Sequence, residues 1–471
     1  MKISSISKRL LLFFILISSS FLFELTSSNL QLSPIKSVAV SNSSFVSSFD
    51  FDSSPFNELF LVFNERQLEH SKLQLIKADS DYQWNFTAET IFEENTSLVL
   101  NSDPSIVTNL EKIWIANSFT SINKNGILFL KKNYTDITWQ KSVPFLMSTI
   151  SISEPNLKLD ELNQTIWLSW KDNHESTINY YYMICNITTG IWSNNYTLNT
   201  INSFNCINSD FIIDGSGNAH FIWSQGGEFN KQIFYRYVLS NGTQSSIETI
   251  TDGSTNCINP AIVLDSYNYL NVFWENQTVP FPQQYGTIDI YTSRKQFTGI
   301  WSQPIEVAPF IPVERPPSGE SDAYQPAVAI DKGNNLWLAH KINEDYAYRQ
   351  GVDIRKRNGL IWEPSSTVSL VNALAINPHL KCDNAGNLHC LWLDIRTGYY
   401  KIYYRVKFTN DLWSDEILLS RTSKASSDLW KFIIIPIGVI VGFSISIYFL
   451  NRYLRKRVEK QLKKKLDLLD E

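Results

Sequence analysis

Histidine, cysteine and methionine are the scarce residues of this 471-residue chain, at six, five and three. Their scarcity argues against metal and thiol chemistry of the usual kinds. The histidines are dispersed: His174 stands near Asp172 and Glu175, but no second histidine follows at metal-ligand spacing. No metal and no cofactor is therefore expected. The sequence also has no Cys-x-x-Cys pair, no Gly-x-Ser-x-Gly nucleophile elbow and no glycine loop that would cradle phosphate. The common enzyme signatures are absent, and no catalytic residue is assigned.

A basic exterior is missing too. Twelve of the 41 Lys and Arg and five of the 46 Asp and Glu lie in the terminal segments, so residues 25–429 carry 29 against 41, a net of −12. An acidic surface of this kind argues against nucleic acid as a partner. What is plentiful is apolar and aromatic residues, 43% and 13% of the chain, ample for a large core.

The two ends carry the long apolar runs. Residues 1–28 place Lys2, Lys8 and Arg9 ahead of the run from Leu10 to Phe23 and follow it with small residues, the order of a secretory signal peptide. The uncharged 19-residue stretch from Phe432 to Leu450 is long enough, at about 1.5 Å per residue, to nearly span a bilayer core of about 30 Å as one transmembrane helix. A basic tail, 451–471, follows. Basic flanks stay inside, so the expectation is a single-pass protein of the cell membrane, its N-terminal domain extracellular and its tail cytoplasmic near anionic lipid. In that tail Leu454, Val458, Leu462, Leu466 and Leu469 form a helical stripe. Nine Asn-x-Ser/Thr sequons, at Asn42, Asn85, Asn95, Asn133, Asn163, Asn186, Asn195, Asn241 and Asn276, suit an outside location. About six or seven would arise by chance in a chain this rich in Asn, Ser and Thr.

Between the ends the sequence repeats. Asn64, Asn117, Trp170, Trp223, Trp274, His340 and Trp392 are spaced by 53, 53, 53, 51, 66 and 52 residues, a period that marks stacked supersecondary units. Nine residues before an anchor stand Asp214, Asp265, Asp331 and Asp383, and fourteen before stand Pro260, Pro326 and Pro378. The turns opened by those aspartates read DGSGN, DSYNY, DKGNN and DNAGN. The first alone resembles a calcium loop, but the others lose the alternation of oxygen ligands, and a hairpin turn with Gly or Asn at positive φ accounts for all four. A loop, a third strand, a second turn with a Trp and a fourth strand complete each unit. Seven four-stranded units packed radially share a core. The fold expected is all-β, a seven-bladed β-propeller over 45–421 joined by a linker, 422–431, to the membrane helix. The blades fall near 45–100, 101–151, 152–202, 203–252, 253–320, 321–371 and 372–421. The segment 29–44 contains LSPIKSVAVS, similar to the fourth-strand stretch WSQPIEVAPF, and offers a possible closing strand.

At the second hairpins, TGIWS (189–193 and 298–302), NGLIW (358–362) and NDLWS (410–414) resemble degenerate Asp-boxes, the bacterial-neuraminidase repeats of sialidase-like β-propellers. The resemblance covers roughly residues 45–421. It implies boxes with a structural role, on the face opposite an active site that uses an arginine triad, a Tyr/Glu nucleophile pair and an acid Asp. The early Arg-Ile-Pro segment of that site is missing, VERPP at 313–317 does not replace it, and Arg236, Arg294, Arg355 and Arg405 fall in the repeated third strand, so no catalytic residue is carried over.

Strand order puts the loop after each anchor and the loop between repeats on one face. Its polar candidates are Glu65, Arg66, Asp172, His174, Glu175, Glu228, Glu275, Asn343, Glu344, Asp345, Asp394 and Arg396. The long 66-residue spacing comes from insertions at 279–286 and 310–322 on that face, which add Phe281, Tyr285, Phe310 and Arg315. The binding set expected from sequence is Glu275, Phe281, Tyr285, Phe310, Arg315, Glu344, Asp345, Asp394 and Arg396. Cys206 and Cys257 hold equivalent places in neighbouring blades and suggest one disulfide; Cys382 and Cys390 flank one hairpin and suggest another. The functional expectation is a surface propeller that binds an extracellular glycan or protein. A sialidase-like glycoside hydrolase is the alternative, marked by three arginines with Tyr and paired carboxylates at the centre. A structural envelope glycoprotein is the second alternative and predicts no concave polar site.

Overall fold

The computed structural model describes residues 44–420, apart from 68–69, 94–97, 101–102, 122, 148–150, 175–176, 200–203, 279–287, 308–320, 345–348, 360 and 371–373, together with Arg457. Seven antiparallel sheets follow one another along the chain. Blade one pairs Phe45–Ser53, Leu59–Gln67, His70–Ala78 and Trp84–Glu93 in chain order, and blade four does the same with Cys206–Ile213, Ala219–Gln225, Gln232–Val238 and Glu248–Thr249. Two blades add a strand. In blade two both Leu98–Leu100 and Ser105–Thr108 pair with Lys112–Ser121; in blade six both Ile361–Trp362 and Ser366–Thr367 pair with Arg349–Asn358.

The repeated aspartates make the first hairpins. Asp214 accepts backbone N–H groups from Ser216 and Asn218 at 2.8 Å each, and Gly217 takes φ +79°. Asn268, Asn334 and Gly386 hold the matching position at φ +61°, +59° and +92°. Because the Asp214 carboxylate is spent on its own turn and on His220, DGSGN is a hairpin turn with the letters of a calcium loop.

Second strands are continuous apolar runs because both of their faces are covered. In Ala219–Gln225 every residue is buried; Trp223 enters the core shared with blade three and Ile222 the core shared with blade five. Each of the seven seams has its own cluster of this kind, and the last joins Val46, Phe49 and Phe51 of blade one to Leu391, Leu393 and Tyr404 of blade seven. The ring therefore closes. Asn64 and Asn117, the two anchors that are not aromatic or histidine, are fully buried and meet across the first seam, with Asn64 Nδ2 donating to Asn117 Oδ1 at 3.1 Å.

Among the described residues no strand is shared between blades one and seven. One backbone–backbone bond and several side chains join them: Val46 N–H donates to the Tyr400 carbonyl at 3.0 Å, Lys401 Nζ donates to the Ser44 carbonyl at 2.8 Å, and the Tyr82 hydroxyl donates to Asp383. The closing strand expected from 29–44 lies, except for Ser44, outside the described residues, as do the signal segment, the linker and the 432–450 span. The chain from Arg421 onward is a separate unit of which only Arg457 is described. Among the described residues no helix is long and apolar enough to cross a membrane.

Neither expected disulfide forms; all five cysteines are free. Cys206 lies in the core between blades three and four and Cys257 in the next one, so their equivalence keeps them a whole blade apart. Cys382 pairs with Leu388 and Cys390 with Leu380, two positions out of register across the hairpin. Among the sequons, Asn85, Asn163, Asn186, Asn195 and Asn241 are exposed and Asn133 is half-buried. Asn276 is buried and accepts hydrogen bonds from Thr255 and Cys257; Asn42 and Asn95 lie outside the described residues.

Candidate functional site

The first strands of all seven blades surround a central channel of about 770 Å³. Its polar wall comes from a repeated irregularity. In blades three to seven the first strand bulges, with register shifts between Ser153 and Asn156, Ile207 and Ser209, Ile258 and Ala261, Tyr324 and Ala327, and Ile376 and His379. The bulged residues Glu154, Asn208, Asn259, Gln325 and Asn377 adopt φ of +51°, +38°, +49°, +53° and +53°, and all five line the channel. Asp103 does the same from blade two at φ +77°. A proline follows in five of the six, and its missing N–H suits a position with no ladder partner. Left-handed backbone at a residue with a side chain costs about 1–2 kcal/mol, so a ring of six carries strain that packing must over-determine.

Below the ring, polar side chains fasten each blade to the next. Asp50 Oδ2 accepts from Ile106 N–H at 2.9 Å and Asp52 Oδ2 from Thr108 N–H at 2.6 Å. Ser105 Oγ accepts from Leu157 N–H at 3.0 Å, and Asp210 Oδ2 from Ile262 N–H at 3.2 Å. Gln325 Oε1 accepts from Asn377 N–H at 2.7 Å. Lys381 pairs with Asp52 across the closing seam, and His379 Nδ1 stands 3.7 Å from Asp50. Burial would raise the Asp50 carboxyl, but His379 and the Ile106 N–H outweigh it and hold it below the usual carboxylate range.

Sequence-predicted residues divide sharply. Glu275 is buried behind the ring, where its carboxylate accepts from Asn259 Nδ2 and, at 2.7 Å, from Gln325 N–H; burial raises its pKa against those bonds. Asp394 is fully buried and Arg396 is folded onto it, with a further bond to Glu416 at 2.5 Å, so these two bind each other rather than an open site. Glu344 ends a second strand opposite Arg349 and Ser321. Phe281, Tyr285, Phe310, Arg315 and Asp345 lie outside the described residues, as does Glu175. No arginine lines the channel among the described residues. Three of the third-strand arginines brace the preceding blade instead: Arg236 donates to the Leu198 carbonyl, Arg355 to Val307 and Arg405 to Val368, at 2.8, 2.9 and 2.9 Å. The ring itself was missed, although its mark is in the sequence: a polar residue before proline in Asp103-Pro104, Glu154-Pro155, Asn259-Pro260, Gln325-Pro326 and Asn377-Pro378.

No known protein family and no curated protein matches the sequence. Solved structures with a similar trace include the β-propeller domain of the Trilobed protease from Pyrococcus furiosus, at 8% identity and TM-score 0.47 over 82% of this chain and 98% of that one. The GH93 α-L-arabinofuranosidase of Fusarium graminearum, in complex with arabinobiose, is similar at 10% and 0.44 over 79% and 95%. The Hadza microbial sialidase Hz136 is similar at 12% and 0.41 over 72% of each chain. At these identities the likeness concerns architecture alone. The chain is an all-β, seven-bladed β-propeller with a polar central channel.

Proposed function

We propose that this propeller is the extracellular part of a single-pass cell-surface protein, anchored through residues 432–450, and that it binds a saccharide in its central channel without transforming it. The observation that carries the reading is the ring of left-handed residues at the channel wall, Glu154, Asn208, Asn259, Gln325 and Asn377. Strained backbone concentrates where a precise presentation of groups matters. The carboxamides of Asn208 and Asn377 offer a donor and an acceptor each, the pairing that vicinal hydroxyls require, whereas Asn259 Nδ2 is engaged by Glu275 and Gln325 Oε1 by the Asn377 N–H. A pure envelope role would need no such concave polar site.

Catalysis is disfavoured by how three of the four channel carboxylates are spent. Asp50 and Asp210 each hold the backbone of the next blade, Glu154 pairs with Lys171, and no arginine faces them among the described residues. One observation favours glycoside hydrolysis as a second reading: Glu275, whose burial favours the protonated form, touches the channel residue Asn259, and a raised carboxyl is what a general acid needs.

The test is a glycan-array screen of the full chain beside Asn208→Leu and Asn377→Leu, with released reducing ends measured on every hit. Binding that both variants abolish, with no sugar released, supports the proposal. Release that Glu275→Gln abolishes would make the protein a hydrolase. An array without hits, or hits indifferent to both leucines, sinks the channel as a saccharide site.

A further inference from the structure

A second cavity, of about 260 Å³, opens at the seam between blades two and three, away from the channel. Its origin can be read by comparing seams. Between blades one and two, Glu89 accepts from Lys132 Nζ at 2.9 Å and from the Trp139 indole at 2.8 Å, and Lys132 lies 5.4 Å from the indole ring. Between blades four and five the same lock recurs, with Glu248 accepting from Lys295 at 2.7 Å and from Trp301 at 3.0 Å. The glutamate comes from the fourth strand of one blade; the lysine and tryptophan come from the third strand and second hairpin of the next.

Strand register identifies the matching positions at the seam between blades two and three. Ser142 pairs with Phe129, opposite the residue before the anchor Asn117, as Glu248 pairs with Tyr235, opposite the residue before Trp223; Glu89 reaches the same lock one residue further along, paired with Leu75 opposite Val62. Cys185 faces Ile166 and bridges to Trp192, as Lys295 faces Leu270 and lies over Trp301. Both long side chains of the lock are thus replaced by short ones while the tryptophan is kept. Removing them leaves the cavity, walled by Trp114, Phe129 and Trp192. Lys131 lines it too, and forms no ion pair among the described residues; no carboxylate lines it.

We propose that this cavity binds a small apolar molecule bearing one carboxylate. Its ring or short chain packs against Trp114 and Phe129, and its carboxylate takes the place of the absent glutamate, accepting from Lys131 and from the Trp192 indole N–H. The site is independent of the channel and of what the channel takes.

The probe is 4-fluorophenylacetate, with neutral 4-fluorophenylacetamide beside it, titrated into the full chain and followed by fluorine NMR. The expected result is saturable binding of the acid, with the amide weaker by about tenfold, the loss of one charge-assisted hydrogen bond. The double variant Ser142→Glu with Cys185→Lys rebuilds the lock found at the two other seams and fills the cavity; binding should vanish. Lys131→Gln, which leaves the packing alone, should weaken the acid about tenfold and leave the amide unchanged. A flat titration overturns the proposal. So does acid binding that survives the filled seam, or binding indifferent to Lys131→Gln, and that last outcome decides the matter even where the double variant fails to fold.

Discussion

Replacing Tyr82 with phenylalanine tests how the ring is held shut. Tyr82 sits at the second hairpin of blade one, and its hydroxyl donates to Asp383 in blade seven while accepting from Asn387 Nδ2 at 2.6 Å. Asp383 is buried and also accepts from His389 Nε2 at 3.0 Å. Burial and this carboxylate together push the Tyr82 phenol up, so the hydroxyl is a donor throughout the working range. Removing it deletes a hydrogen bond to a charged group, about 1.5–3 kcal/mol, with the lower end expected because Tyr82 itself is only half-buried. Tyr134→Phe is the matched control. Its hydroxyl donates at 2.7 Å to the neutral carbonyl of Asn109 within blade two, and its loss should cost about 0.5–1.5 kcal/mol. Urea unfolding read as the midpoint at unchanged slope gives both numbers. A Tyr82→Phe midpoint equal to wild type, or a smaller change than Tyr134→Phe gives, would refute the idea that this contact closes the ring.

Other consequences are as direct. Trp223→Ala empties a fully buried place between blades three and four and should cost about 3–5 kcal/mol in the same unfolding experiment. Asp210→Ala leaves the Ile262 N–H unpaired and should cost about 1–3 kcal/mol, whereas a neutral result would mean the channel carboxylates do not fasten the blades. Burial depresses the His389 pKa against the pull of Asp383, so the unfolded chain takes up a proton that the fold resists; stability should fall as pH drops below about 6.5. The Asp383 carboxyl, held low mainly by His389 and Tyr82 despite its burial, adds a further loss below about pH 4. His389→Asn, which copies Asn271 of blade five, should flatten the first of these declines in a melting-temperature profile. Thiol titration without reductant should find five thiols after denaturation, and few or none beforehand; finding only three after denaturation would restore a disulfide.

Most of the scaffold could be read along the sequence because it depends on local order. Trp170, Trp223 and Trp274 recur at nearly fixed spacing, and His340 and Trp392 keep the same register, because every second strand meets the same two neighbours; the aspartates before the last four recur because each first hairpin needs the same turn. Asn64 and Asn117 broke the aromatic pattern without breaking the fold, since Asn64 Nδ2 donates to Asn117 Oδ1 and Asn117 Nδ2 to the Ser118 carbonyl. The site was harder. Pro260, Pro326 and Pro378 were visible as register marks, yet only the backbone reveals that the residue before each turns left-handed into the channel. Bonds such as Asp210 to Ile262, Arg405 to Val368 or Asp394 to Arg396 depend on side-chain direction, which spacing does not supply. The Cys206–Cys257 pair failed for a related reason: equivalence in a repeat places residues in equivalent seams, and in a propeller those are separate seams.

In the proposed function, the left-handed ring presents its polar groups to a saccharide. Calorimetric titration of the best array ligand into the full chain, beside Asn259→Leu and Asn377→Leu, tests it most directly. One binding site per chain and a loss of at least about tenfold in affinity for each leucine are expected, measured below the unfolding midpoint of each variant, which the lost Asn259 bond to buried Glu275 lowers in the first. Wild-type affinity in both variants would contradict it and move the binding surface off the channel.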